Sequence, residues 1–406
     1  MSEKSDASGP MLFSPLVLRG LTLRNRIVIS PMCQHAAEHG CATDWHLVHL
    51  GKFAMGGAGL ILTESTAVSP HGRIGTDDLG LWRDEQIAPL KRVVDFVHAQ
   101  GVPFGVQLAH AGRKAGSQPL WEGGRAFTPE QLQLADGAPW QRLGPSSIAA
   151  SAEWSVPDEL DEASIRQITE EFAASVKRAV AAGVDTIELH YGHGYLVASF
   201  LSPISNLRTD SYGGSRANRM RLAIEIAQRV RAEMPETMPL FCRLSAVDGA
   251  EGGWDIDDSV DLSRELAKVG VDVIDVSSGG LSEETRRSNV PRGLGFQVGF
   301  ASDIRQGSGV TTQAVGMIVD AVQAEAILQS GAADLVAIAR EALNDPYWPR
   351  RAREALQLDP DYADWPVRYG SWLERRDSQI GDALRERRAF LRSINGNDKL
   401  ADREGN

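Results

Sequence analysis

Three stretches far apart in the chain follow one plan. "AAGVDTIELH", "KVGVDVIDVSS" and "QSGAADLVAIAR" each run from a helix end through a glycine and a short polar step into an apolar strand. Gly183, Gly270 and Gly331 stand where a helix C-cap needs a left-handed backbone. Weaker copies, "GGAGLILTE" and "AQGVPFGVQLA", lie nearer the N-terminus. Near-continuous apolar strands alternating with helices require a parallel sheet covered on both faces.

Eight such apolar runs can be counted: "RIVISPM", "GLILTE", "FGVQLA", "TIELHY", "LFCRLSA", "VIDVSSG", "AVGMI" and "LVAIAR". Eight βα units predict a single (β/α)8 TIM barrel. An open doubly wound sheet is the alternative, although eight strands would make it a long one. The clearest helix reads from Ser164, with Ser164 and Gln167 as a capping box and a stripe of Ile165, Ile168, Phe172 and Val176. Residues 111 to 163 interrupt the plan after the third strand. An insertion of that length inside a barrel predicts a lid or binding element. The expected organisation is a disordered N-terminus over 1–10, a barrel over 11–372, and a charged, helical C-terminal extension over 373–406.

Charge and cysteine usage narrow the function. A formal net charge of −12 over 406 residues argues against a general nucleic-acid or anionic-membrane binder. Three cysteines, Cys33, Cys41 and Cys242, make neither a disulfide framework nor a CxxC zinc site. "MSEKSDASGP" lacks the apolar run of a signal peptide, and no stretch is long and apolar enough to span a bilayer. A soluble, cytoplasmic protein is expected.

In a barrel of this kind, chemistry is carried at the carboxyl ends of the strands. Those ends read Met32 and Cys33; Glu64 and Ser65; Gln107 and His110; His190, Tyr191, His193 and Tyr195; Arg243; Ser277 and Ser278; Val315 to Met317; and Ala339 with Arg340. No converging ring of carboxylates is visible, which disfavours glycoside hydrolysis. No strand-end lysine offers Schiff-base chemistry. His190 and His193 read as a hydrogen-bonding pair or as metal ligands, but a metal lacks a clear third ligand, so no metal site is predicted. What remains is a donor-rich pocket suited to a cofactor carrying phosphate and a delocalised anion.

These residues resemble the Old Yellow Enzyme family, and within it the thermophilic-like branch that includes xenobiotic reductases. The resemblance is carried by "LFSPLVLRGLTLRNRIVISPMCQ", "TESTAVSPHGRI", "VQLAHAGRKA", "HYGHGYLVASFLSPISNLRTDSYGGS", "REALNDP" and "YGSWLER". It implies an FMN-dependent ene-reductase that uses NADPH or NADH, with an N-terminal hairpin closing the barrel. Ser30, Pro31, Met32, Cys33 and Ser65 would line the flavin ring. Gln107 and Arg243 would meet its pyrimidine end, where a cation stabilises the reduced form; a buried ion pair is the plainer reading of Arg243. Gly316, Ala339 and Arg340 would hold the phosphate. His190 and His193 would polarise the substrate oxygen, and Tyr195 would protonate the α-carbon or else only pack. Cys33 would tune the flavin or be a plain buried thiol. His35 and Trp372 would contact substrate, an activated alkene, and a homodimer or homotetramer is implied.

Three departures from the family pattern stand out. His35 replaces a tyrosine after "PMCQ", Ala339 replaces a glycine before the phosphate-binding arginine, and the tail runs on from about Arg375. His35 lends weight to a flavin-dependent isomerase or desaturase as an alternative to net reduction. A non-catalytic flavin-binding protein is a third reading.

Overall fold

Eight parallel strands close into a barrel in the order of the chain. They are Ile27–Ile29, Leu60–Ala67, Phe104–Ala109, Thr186–Tyr191, Leu240–Ser245, Val273–Ser277, Thr311–Val315 and Leu335–Ile338. This computed structural model describes residues 9–134, 137–282 and 290–401. The eighth strand pairs back onto the first through Val336 with Ile27 and Ile338 with Ile29, so no edge is left among the barrel strands.

Strand periodicity sorts side chains into layers inside the barrel. At the amino ends Val28, Leu60, Phe241, Val273 and Leu335 form an apolar layer. The hairpin of Leu16–Leu18 and Leu21–Leu23 covers it, burying Leu18 and Leu23 in the same cluster. Each such leucine contributes about 2 kcal/mol of burial. Further along the strands the inward positions turn polar: Gln107, Glu188, Arg243, Asp275 and Gln313 are all buried.

Helices wrap the barrel with their apolar stripes inward. The longest of these, Glu162–Ala182, buries Ile165, Ile168, Phe172 and Val176. Its cap differs from the sequence reading. Asp161 is the N-cap and accepts from the Ser164 amide at 2.7 Å, which makes Ser164 the third helical residue. A carboxylate reaches the free amides of a first turn and also meets the helix dipole. Gly183, Gly270 and Gly331 do adopt left-handed backbones, with φ of 88°, 98° and 71°. Two strand limits also differ. The second strand runs on to Ala67 through a register shift between Leu62 and Ser65. The seventh is Thr311–Val315, so Gly316 and Met317 fall in the turn beyond it.

The insertion after the third strand is laced internally by a buried arginine and fastened to the body by a buried tryptophan. Arg142 donates to the carbonyls of Ala115, Gly116 and Phe127. Trp140 is buried, its indole N–H held by the His71 carbonyl at 3.0 Å and its ring stacked under Arg73 at 4.6 Å. The second half of the tail is helical as expected, over Val367–Ala401. Contacts divide the chain after Pro349 into two compact units. Within the second, Tyr362 donates to Asp377 and Trp365 to Glu354.

Candidate active site

At the carboxyl ends of the strands lies a cavity of about 540 Å³. Ser30, Pro31, Cys33, His35, His193, Tyr195, Arg243, Gly316, Ala339 and Arg340 line it, with Ser117, Gln118, Leu120 and Trp154 from the insertion. Met32, Ser65, Gln107 and His190 do not open onto it. Trp372 belongs to the second unit, on the helix Val367–Ala401, where it is 67% exposed and lies under Arg375 at 5.4 Å.

The floor is set by Arg243. Its Nη1 donates to Ser30 Oγ at 2.9 Å, and its Nε lies 3.4 Å from Asp275 Oδ2. The guanidinium is therefore both part of a buried ion pair and a cavity-lining cation. Gln107 donates to Glu188 Oε1 at 2.8 Å, which spends one of its two amide N–H groups below the cavity. Two carboxyls, Glu188 and Asp275, converge inside the barrel, short of the strand ends. Both are fully enclosed, out of reach of a bound sugar.

The turn "HYGHGYL" organises one wall. His193 has φ of 59° and Gly194 of 71°; a Cβ on Gly194 would lie 2.5 Å from the Gly280 carbonyl. Lys114 ties this turn to the loop after the sixth strand by donating to the carbonyls of His193 and Gly280. Hydrogen positions follow from the contacts. Gly192 N–H donates to His190 Nδ1 at 3.2 Å, so the neutral ring carries its proton on Nε2. His190 Nε2 then donates to His193 Nδ1 at 3.2 Å, and His193 Nε2 donates to Ser277 Oγ at 2.8 Å. The far end agrees. Gln297 Nε2 donates to the Val315 carbonyl, so its Oε1 accepts from Ser278 at 2.7 Å and from Ser277 at 3.4 Å.

Both imidazoles are held neutral. Burial lowers His193 to about 3, with Arg243 and Lys114 adding, and pushes His190 well below its ordinary value. Tyr195 lines the cavity with its ring edge-on to His190, centroids 5.0 Å apart. It also packs on the cluster of Ala111, Ala115 and Trp140.

His35, at the mouth, has the opposite character. Its Nδ1 lies 2.9 Å from Asp78 Oδ1, an ion-pair contact at hydrogen-bond distance. Asp78 Oδ2 is anchored by the amides of Ile74 and Gly75 at 2.6 and 3.0 Å. Burial works against a charge on His35, but Asp78 outweighs it and raises the imidazole, with Glu64 and Asp77 adding. Trp121 meets the ring edge-on at 5.6 Å. Cys33 is a neutral thiol: burial pushes it well up, and Asp78 and Glu64 add to the effect.

The donor set fits FMN. Arg243 and Ser30 offer donors at one side of the cavity, and Arg340 with Ala339 lines another. Gly316 has φ of 115°, and a Cβ there would fall 2.8 Å from Gln297 Nε2 and 2.9 Å from Phe296. Only glycine keeps that wall open. Among the described residues no group of three or more His, Cys, Asp or Glu side chains forms a metal site, and no helix is long and apolar enough to cross a membrane. Sequence reading missed Asp78, Lys114, Glu188, Asp275 and Gln297. The acidic residues carried a signal, since charged residues inside "TIELHY" and "VIDVSS" have no place on an apolar face.

Comparison with known proteins agrees with this geometry. Residues 11–359 match the NADH:flavin oxidoreductase / NADH oxidase family. An NADH:flavin oxidoreductase of Gibberella zeae is 40% identical over 370 residues, covering 87% of this chain and 88% of that protein. An NADPH dehydrogenase of Listeria innocua is 42% identical over 347 residues, covering 85% and 95%. Among solved structures, morphinone reductase superposes with a TM-score of 0.72 at 28% identity, covering 86% of this chain and 91% of its own. The chain therefore belongs to the NADH:flavin oxidoreductase / NADH oxidase family, as an FMN-binding oxidoreductase of the Old Yellow Enzyme type.

Proposed function

We propose that this protein reduces electron-poor C=C bonds, such as those of enones, with NADPH or NADH as reductant. The observation that carries the reading is the neutral histidine pair beside Tyr195, in which His193 lines the cavity and His190 backs it. Bound FMN would take hydride from the nicotinamide and pass it to the alkene β-carbon. A morphinone reductase in complex with tetrahydroNAD supports a nicotinamide stacking in the same cavity. Ser30, Arg243, Gly316, Ala339 and Arg340 would hold the FMN, with Gln107 and Ser65 behind them.

The chain's own residues handle the oxygen and the proton. His190 Nε2 and His193 Nδ1 face each other at 3.2 Å, so one acceptor oxygen can take an N–H from each. His193 then carries its proton on Nδ1, and its Nε2 accepts from the Ser277 hydroxyl. A serine can exchange donor and acceptor roles by rotating one O–H bond. Neutral donors suit this task, because they stabilise developing enolate charge without protonating the oxygen. Tyr195 would deliver the proton to the α-carbon; a carbanionic carbon is basic enough to take it from a phenol. His35 with Asp78 would present a cation to substrate at the mouth.

The test is NADPH consumption that depends on an added enone or maleimide, with the saturated product identified. Rearranged alkene without net NADPH use would favour the isomerase reading instead. Flavin reduction with no acceptor turnover at all would leave a binding protein.

A further inference from the structure

The barrel interior holds a charge imbalance that the proposed chemistry does not use. Glu188 and Asp275 are both 0% exposed, on the fourth and sixth strands, with Arg243 between them on the fifth. One guanidinium faces two carboxyls. Arg243 Nε approaches Asp275 Oδ2 at 3.4 Å, and Gln107 donates to Glu188 Oε1. Glu188 Oε2 and both Asp275 oxygens then lack a well-formed hydrogen bond from a charged donor. The apolar layer of Phe241, Val273 and Leu335 lies below them in the barrel. The remaining group facing them is Gln313 on the seventh strand, which brings no positive charge, and the Cys242 thiol points to the opposite side of the sheet from Arg243.

An unpaired carboxylate in such a place costs several kcal/mol, and like charges sharing a dry site do not both ionise. Facing carboxyl oxygens bond only when one of them carries a hydrogen. We propose that Glu188 and Asp275 share a single proton, carried on Glu188 Oε2. Asp275 is then the sole counterion of Arg243 and the residue that positions its guanidinium at the cavity floor.

The assignment within the pair follows from contacts. Asp275 is the carboxyl that reaches Arg243, while Glu188 has Gln107 on one oxygen and the other free to donate to Asp275. The titration behaviour agrees. Burial first, then the Asp275 charge, lifts Glu188 to about 8, against a smaller opposing pull from Arg243. Burial also raises Asp275, and there Arg243 and hydrogen bonds from Gln313 and Glu188 hold it back. None of this depends on the alkene reading, since it needs no substrate.

Infrared difference spectroscopy of the purified protein tests it. A protonated carboxylic C=O band should be present at pH 6 and fade as pH rises through about 8. Glu188→Gln should abolish the band. Asp275→Asn should abolish it too, because Glu188 then ionises against Arg243. The same Asp275→Asn should weaken FMN retention by at least about ten-fold, while Glu188→Gln changes it less than about two-fold. If Glu188→Gln does not fold, the pH titration of the band in the parent still decides. No acid band at pH 6 overturns the proposal, as does a band that survives Glu188→Gln. Equal loss of FMN in both variants overturns the positioning role of Asp275.

Discussion

Two imidazole regions border the same cavity and are shifted in opposite directions. In the wall turn, His190 and His193 are enclosed, and their ring partners are each other, a backbone amide and a serine. Burial therefore prevails and both rings stay neutral. At the mouth, His35 is half-buried but has Asp78 Oδ1 at 2.9 Å, and its protonated form is favoured. The residue type is the same, so the difference lies in the partner. A carboxylate at contact distance outweighs partial burial, whereas a second imidazole cannot. One cavity thus has neutral imidazoles on its wall and a more basic imidazole at its mouth.

The sharpest way to break this comparison is to remove the neutral pair. Replacing His190 and His193 together with Ala should slow reoxidation by an enone by about 10³-fold, taking one to two lost donors. Flavin reduction by NADPH should stay close to the parent rate. Stopped-flow measurement of the two half-reactions separates them, and equal losses in both would make the histidines structural.

Tyr195→Phe comes next. Alkene reduction should fall by roughly 10²-fold, the lower range for a positioned acid. Quinone reduction should hardly change, because it needs no proton at carbon. A parallel loss with both acceptors would leave Tyr195 with its packing role on Trp140 and Ala115 alone.

A change in the other region should have a smaller and pH-dependent effect. Because its pKa is raised in the folded state, His35 contributes stability below its ordinary value of 6.5, and this is lost as pH rises through the folded value. The oxidative half-reaction should weaken over the same window by a few-fold, on the order of the worth of one partly exposed charge contact. Asp78→Asn should move the window to lower pH, and His35→Tyr should abolish it. NMR titration of the His35 ring checks the assignment. An unshifted imidazole in Asp78→Asn would show that Asp78 does not set its charge.

The mildest change is Ser277→Ala. It leaves both imidazoles neutral but removes the partner of His193 Nε2. Enone reduction should drop by roughly three- to ten-fold, the worth of about one hydrogen bond. Nitrogen-15 spectra of the apoprotein should show the proton on His193 Nε2 in parent and variant alike, because His190 Nε2 still donates to His193 Nδ1. A proton on His193 Nδ1 in the variant would mean that Ser277, and not His190, sets the tautomer.

Much of this architecture is legible in local sequence. Helix ends, glycine caps and apolar runs are short-range patterns, so "AAGVDTIELH" and its two copies announce βα units before any fold is known. The misplaced helix cap shows the limit even there. Asp161 and Ser164 both qualify as caps, and only the path of the chain decides which one meets the free amides. The site is legible in part for the same reason. Strand carboxyl ends gather on one side of a barrel, so Cys33, His193, Arg243 and Arg340 could be grouped from their positions alone.

Sequence by itself determined the number of strands, their parallel order and the side on which chemistry collects. Each of these rests on periodicity and handed connection, which act over neighbouring residues. Tertiary structure alone decided the charges. His35 takes its raised pKa from Asp78, His193 its Nε2 partner from Ser277, 84 positions away, and Asp275 and Glu188 share one arginine across adjacent strands. Alternation along a strand says which side chains point inward but not how deep they lie or what faces them. Protonation depends on distances of a few ångströms and on exclusion of water, and both exist only once the barrel has closed.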